Sequence, residues 1–480
     1  MAYINNLSDD ILSSIFSHSM TSTAILPPSL GDDPRLQLMA VSPRWRRVIL
    51  QASIFWDILI ILPRNPEATH GLLMIAKEWL SRIHSMTDHI LSLFLLQPRY
   101  LNRQEPIHRT RNGEGYRVLE DGILPAARGT KWFSCTLSTV HGINSFFDIP
   151  LDEFNCVEGL DISFPRLPDP ELAHTTVTMI KAKLSSFTTF QSSHHLRSAP
   201  INIGNGIHPL RLRIPWWRLS KIDMTNTTLR PNTFLEVLSA SAPSLKDGSF
   251  AIRFKRVTRS TASAPNETTP IVKACFLQYL HLRLINPSRD RRFLSRLYLT
   301  SLSHLKIDLD DRVGWRMSIY DHLLSRSSQT LRTLELVDAP SEGRQSNNAM
   351  VCQDTDLDKL FSMCPNVEHL RLPIGVQIPQ NTLNKITECS LLPCLRSLEV
   401  FSTIGIDVLE MVGRRNELVY HRAGIGSSNL GTGIGGYPPF LGRVVLHTLL
   451  ENQRNITLAK RYIRSFSSSQ GTVFDIKYLD

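Results

Sequence analysis

Any chemistry in this chain would have to come from a few short constellations. His194 and His195 stand side by side in a Ser/Thr-rich stretch, Asp310 and Asp311 follow an apolar run, and Cys389 and Cys394 form a C-x4-C pair. Gly424 to Pro439 reads GIGSSNLGTGIGGYPP. A metal site needs three or four ligands at defined spacing, and neither the histidine pair nor the cysteine pair has the companions. The glycine-rich stretch lacks the Lys-Ser/Thr that completes a phosphate-cradling loop, so a plain loop is expected. The acidic pair suits the solvation of a turn. Nucleophile-elbow, zinc-protease, kinase and deaminase patterns do not occur. A non-catalytic protein is expected, with no catalytic residue, no cofactor and no metal ligand.

One constellation is richer. Arg211 to Lys221 reads RLRIPWWRLSK, in which basic residues surround Trp216 and Trp217. Cations neutralise phosphates and exposed rings stack on bases, so this composition suits a nucleic-acid surface. Basic clusters also occur at 253–259 and 289–296, and the formal net charge is +10, a balance that favours acidic partners. No nucleic-acid motif accompanies them. Solvated faces on a folded array are the preferred expectation, and a basic nucleic-acid-associated protein is kept as an alternative.

The elements that would position such residues follow from composition and periodicity. The chain has 480 residues, 42% hydrophobic and 20% charged, which is ample core material for several domains or one repeat array. No apolar run reaches the roughly eighteen residues of a membrane helix. The opening MAYINNLSDD has neither a basic nor an apolar leader, so a cytoplasmic or nuclear protein with no membrane association is expected. The seven cysteines are dispersed and odd in number, which suits reduced thiols.

A spacing of apolar, two others, apolar, one other, apolar recurs along the chain. It appears at Val157/Leu160/Ile162, Leu219/Ile222/Met224, Leu277/Leu280/Leu282, Leu302/Leu305/Ile307, Leu331/Leu334/Leu336, Val367/Leu370/Leu372 and Leu395/Leu398/Val400, with a degenerate copy at Leu245/Gly248/Phe250. The final alternation suits a strand, and several copies follow a helical segment that stops at Pro. Each helix-plus-strand unit cannot bury its own apolar side, so neighbours must stack. Phrases such as LRTLEL, VEHLRL and LRSLEV resemble leucine-rich repeats. The position where that family favours Asn or Cys holds Thr227, Ile285, Asp310, Ala339, Gly375 and Thr403, so the resemblance implies an irregular solenoid.

Near the start, Ser8 can cap a helix whose first turn carries Asp9 and Asp10 and whose apolar side carries Ile11, Leu12, Ile15 and Phe16. After a Pro/Ser/Gly-containing gap, Leu38, Val41, Trp45 and Ile49 recur at helical spacing among Arg44, Arg46 and Arg47. These are read as two short amphipathic helices that need a partner surface. The order L-S-D-D-I-L-x-x-I-F, then L-x-x-V-S-x-R-W-R, resembles an F-box. Ser8 stands where that pattern favours Pro, and Ser42 where Cys is frequent. The general layout is similar to the large F-box families of mushroom-forming fungi.

The resemblance implies an α/β chain: an all-helical F-box at 1–62, a linking helix, capping strand and long loop at 63–130, and a leucine-rich-repeat-like solenoid with a C-terminal cap at 131–480. Parallel strands would line one side and helices the other. It further implies the substrate-recruiting subunit of an SKP–cullin–F-box ubiquitin ligase. Leu7, Ile11, Leu12, Ile15, Phe16, Leu38, Val41 and Trp45 would lie at or under the SKP-type adaptor, which carries the cullin, while the solenoid binds a target protein. A leucine-rich scaffold outside any ligase, with the helices as a structural cap, is the other alternative.

Overall fold

The computed structural model describes residues 7–20, 23–26, 33–52, 55, 58–61, 92–96, 131–136, 147, 156–164, 177, 178, 180–184, 187, 188, 190, 191, 193–203, 207–254, 271–285, 292–310, 320–338, 357–374, 376–403, 405–425, 438–449, 457, 460–464 and 472–479. Of the segment expected at 63–130 only 92–96 are among them, so the expected linking helix and long loop lie outside, as does most of the loop expected at 424–439. The chain is mixed α/β and divides into two compact units, Met1–Thr227 and Thr228–Asp480. The expected 1–62 and 63–130 segments both fall within the first. Among the described residues no helix is long and apolar enough to cross a membrane.

The first unit opens with α1 (Asp9–Ser19), β1 (Thr23–Leu26), α2 (Pro34–Val41) and α3 (Pro43–Gln51). It continues with β2 (Ile58–Ile61), β3 (Ser92–Leu96), β4 (Trp132–Thr136), β5 (Gly159–Ser163), β6 (Ser198–Asn202) and β7 (Lys221–Leu229), the unit boundary falling inside β7. Strands β1 to β7 pair in chain order, all parallel. Two expectations are corrected here. The gap between the helices holds a strand, because Thr23–Leu26 finds a partner in Ile58–Ile61. The second expected helix is two: Ser42 is extended (φ −158°, ψ 158°) before Pro43, because the proline ring disfavours helical backbone at the preceding residue.

The second unit contains α4 (Pro231–Ser241), β8 (Asp247–Arg253), β9 (Val272–Lys273), β10 (Tyr279–Ile285), β11 (Leu297–Tyr298), β12 (His304–Asp310) and α5 (Asp321–Ser327). There follow β13 (Thr333–Asp338), α6 (Leu357–Ser362), β14 (His369–Arg371), α7 (Gln380–Thr387), β15 (Ser397–Phe401), α8 (Ile406–Ile425), β16 (Arg443–Leu449) and β17 (Val473–Leu479). Strands β8, β10, β12, β13, β14, β15, β16 and β17 pair in that order, all parallel, while β9 and β11 form a separate small ladder. Helices α4 to α8 fill connections between successive strands. Between β10 and β12 a 3-10 turn (Arg292–Arg296) and β11 take that place.

The recurring spacing is the core. Every apolar member of the copies read from the sequence is buried, from Val157, Leu160 and Ile162 to Leu395, Leu398 and Val400, none more than 3% exposed. The register stacks equivalent positions: Leu280 pairs with Leu305, Leu305 with Leu334, Leu334 with Leu370 and Leu370 with Leu398. Two further copies belong to the same rows, Leu196/Ala199/Ile201 and Leu441/Val444/Leu446. At the entrances of several strands one carbonyl accepts two N–H groups from the start of the neighbouring strand. Lys246 O serves Gln278 and Tyr279, Gln278 O serves Ser303 and His304, Ser303 O serves Arg332 and Thr333, and Arg332 O serves Glu368 and His369. That repeated bond fixes the register, because a one-residue slip would turn every leucine outward.

Individual polar side chains hold the connections between strands. Thr227, at one of the positions expected to lack an asparagine ladder, is buried and joins β7 to the end of β6: its Oγ1 donates to Ile201 O (2.9 Å) and accepts from Ile203 N–H (3.1 Å). Arg415 on α8 is fully buried and donates to the carbonyls of Ile386 (2.7 Å), Leu392 (3.0 Å) and Pro393 (3.0 Å). Burial lowers its pKa, the thiols of Cys389 and Cys394 opposing that shift. These bonds hold a loop in which Cys389 and Leu392 adopt positive φ (61° and 49°), a conformation that non-glycine residues keep only under such support.

Candidate functional site

The helical region at the start of the first unit is closed by a small core of its own. Ser8 caps α1 by accepting Ile11 N–H (3.4 Å), and Ser42 caps α3 by accepting Trp45 N–H (3.1 Å). Arg44 on α3 reaches back to the start of α1: its Nε and Nη2 donate to Asp9 Oδ1 (2.9 and 2.7 Å), and Nη2 also donates to the Leu7 carbonyl. Asp9 thereby complements the positive end of its own helix and ties two helices together. Inside, the rings of Phe16 and Trp45 lie 4.8 Å apart at 59°, next in kind to Leu12, Val48, Ile49 and Phe55, all buried. Arg35 is buried too, its Nε and Nη2 on Asp33 (2.9 and 3.0 Å) and its Nη1 on Phe55 O (3.0 Å).

The expected docking residues separate into three groups. Leu12 and Phe16 are buried at 0% and 2% exposure. Leu7, Leu38 and Trp45 are half-buried. Ile11, Ile15 and Val41 stand outside, at 49%, 48% and 55% exposure. Ile11 and Ile15 are four apart on α1 and share a face. The break at Ser42 puts Leu38 and Val41 on α2 and Trp45 on α3, so these do not form the single stripe that their spacing suggests.

A second candidate surface is the outward side of the strands in the second unit. Side chains between the inward leucines stand in rows: Tyr279, His304, Thr333, His369 and Ser397 in one, His281, Lys306, Glu335, Arg371 and Glu399 in the next. Several of the outward side chains pair across strands. His281 Nε2 faces Asp308 at 2.7 Å, His304 faces Glu335 at 3.1 Å, and both Arg371 (3.3 Å) and His447 (3.0 Å) face Glu399. The His304 hydrogen bond holds the Glu335 carboxyl below its ordinary value against the opposing effect of burial, helped by Lys306 and Arg371. Burial pushes Asp308 up, but the hydrogen bond and charge of His281, with Lys306 and Arg283, outweigh it and leave the carboxyl low. At the strand entrances Glu368 lies between Arg332 (3.6 Å) and Arg396 (3.3 Å).

Among the described residues reactive groups do not converge on either of these surfaces. Burial pushes the Cys135 thiol far up, with Asp161 adding to it, and pushes Cys364 up to about 12, so both thiols are inert core residues. Among the described residues no three His, Cys, Asp or Glu side chains come together as a metal site. In the RLRIPWWRLSK segment, Trp216 is buried and donates its indole N–H to Leu212 O (3.1 Å), whereas Trp217 is 53% exposed. The segment therefore does not present two adjacent stacking rings.

Comparison with known proteins finds no family model that matches the sequence and no matching curated protein.

Proposed function

We propose that this chain is the substrate-recruiting subunit of an SKP–cullin–F-box ubiquitin ligase, with α1 to α3 docking the SKP-type adaptor. One observation carries the reading: Ile11, Ile15 and Val41 are left exposed by helices whose own core is already closed by Leu12, Phe16, Val48 and Ile49. Apolar side chains arranged this way gain by burial against a partner, roughly 1.5–3 kcal/mol for each one fully covered. The F-box resemblance supplies the identity of that partner. Stacked parallel coils in chain order support reading the remainder as an irregular leucine-rich-repeat-like solenoid that holds a target protein. Ubiquitin transfer would then gain from proximity, with no catalytic group required here. A cytoplasmic or nuclear location goes with this reading.

A specific observation favours a second reading. Strand β1 lies between α1 and α2 and pairs with β2, so the helices and the sheet are interleaved. In that reading the helices are a structural cap on a scaffold outside any ligase. A pull-down of the full chain with a purified SKP-type adaptor separates the two. Retention of the adaptor supports the ligase subunit, and no retention by folded protein supports the cap.

A further inference from the structure

We propose that Cys389 and Cys394, in the loop between α7 and β15, form a dithiol site that peroxides oxidise to a disulfide over the Arg415 guanidinium. Arg415 comes from α8 and is fully buried. Its hydrogen bonds all go to uncharged carbonyls of the last turn of α7 and the loop: Nη1 to Ile386 O at 2.7 Å, Nη2 to Leu392 O and Pro393 O at 3.0 Å each. Its Nε is buried with no hydrogen-bond partner. Among the described residues no carboxylate acts on it, so a positive charge sits in the interior without a carboxylate counter-ion. A buried cation left this way is costly.

The two cysteines are the groups placed to supply the missing anion. Ile386 O accepts from Arg415 Nη1 and also from the Cys389 N–H (3.1 Å), so one carbonyl ties the cation to Cys389. Pro393 O, an acceptor of Nη2, belongs to the peptide group that continues into Cys394. Electrostatics agrees with this geometry: burial lowers the Arg415 pKa, and Cys389 and Cys394 are the two groups that oppose it. The thiolate is the form of cysteine that attacks, and reactive cysteines sit in electropositive, partly open surroundings. Both thiols are half-buried, within reach of a small oxidant.

The other described cysteines differ. Cys135 and Cys364 are sealed in the core, and Cys156 and Cys275 are exposed in different units. The loop itself is suited to closure. Joining two sulfurs requires Cα atoms within about 7 Å of each other. Cys389 and Leu392 hold positive φ, so the backbone that would turn to meet this distance is already strained and is kept in place by the Arg415 bonds.

The reaction balances with one peroxide as oxidant. One sulfur attacks a peroxide oxygen: an S–O bond forms, the O–O bond breaks, and the leaving hydroxide takes the thiol proton and departs as water. The second thiol attacks the resulting sulfenic sulfur: the S–S bond forms, the S–O bond breaks, and a second water leaves. The two thiols lose two electrons, and hydrogen peroxide is reduced to water. No residue of α1 to α3 takes part, so the site is independent of adaptor docking.

Titration of the reduced full chain with hydrogen peroxide tests it, the remaining thiols being alkylated and the peptides mapped by mass spectrometry. The expected product is a Cys389–Cys394 disulfide within one chain, lighter by two hydrogens and reversed by dithiothreitol. It should form at a peroxide concentration at least about tenfold below that which oxidises Cys156 or Cys275. Circular dichroism of the oxidised chain should match that of the reduced chain. Cys389 and Cys394 still free after Cys156 and Cys275 are oxidised would overturn the proposal. So would their separate oxidation without a bond between them, or a disulfide that appears only as the fold is lost.

Discussion

The strand rows and the N-terminal helices use the same apolar residues to different ends. In the rows, each leucine meets an equivalent residue on the strand before and another on the strand after, so the pattern satisfies itself along its length. In the helices, a similar density of Ile, Leu, Val and Trp closes only a small core and leaves Ile11, Ile15 and Val41 outside. A repeat supplies its own partner. Three short helices do not, and their unspent apolar surface is where a second protein can gain most.

The largest effect should come from placing charge in a row. Leu334→Asp and Leu370→Asp each put a carboxylate among residues at 3% exposure or less, and should cost on the order of 4 kcal/mol or more, read as loss of the cooperative thermal transition of the second unit. Next is Phe16→Ala, which empties the helical core beside Trp45 and should cost about 3–5 kcal/mol within the first unit alone. If Leu334→Asp melts the protein no more than Phe16→Ala does, the rows are not the self-sufficient part.

Acid should sharpen the same contrast. Asp308 and Glu335 both have carboxyls held below their ordinary values. A depressed folded value adds stability that is complete above the unfolded value, about 4, and is lost as pH falls through the folded one. The second unit should therefore soften below about pH 4, and Asp308→Asn with Glu335→Gln should flatten that limb in melting curves recorded against pH. The smallest effect belongs to outward positions: Arg371→Ala should cost at most about 1 kcal/mol, because its ion pair with Glu399 is partly solvated.

What could be read from the sequence follows from which interactions are local. The spacing of Leu331, Leu334 and Leu336 is short and repeated, so strand and inward face were both legible. The copy at Leu196, Ala199 and Ile201 was not, because Ala and the intervening Pro200 disguise it, although its spacing is the same. The kink at Ser42 was readable in principle from Pro43 alone. Strand β1 was not, since the four residues Thr23–Leu26 owe their conformation to a partner more than thirty positions away in sequence, as β propensity depends on context. Which helical residues are spare, and which hold the core, needs the positions of all three helices at once.

The most direct test is the adaptor affinity of the double variant Ile11→Asp/Ile15→Asp, measured by titration alongside its melting curve. The account predicts a melting temperature close to that of the parent, because both side chains are about half exposed, together with a loss of adaptor binding by at least about a hundredfold, a few kcal/mol for two buried anchors. Adaptor binding as tight as the parent's by this folded variant would contradict it.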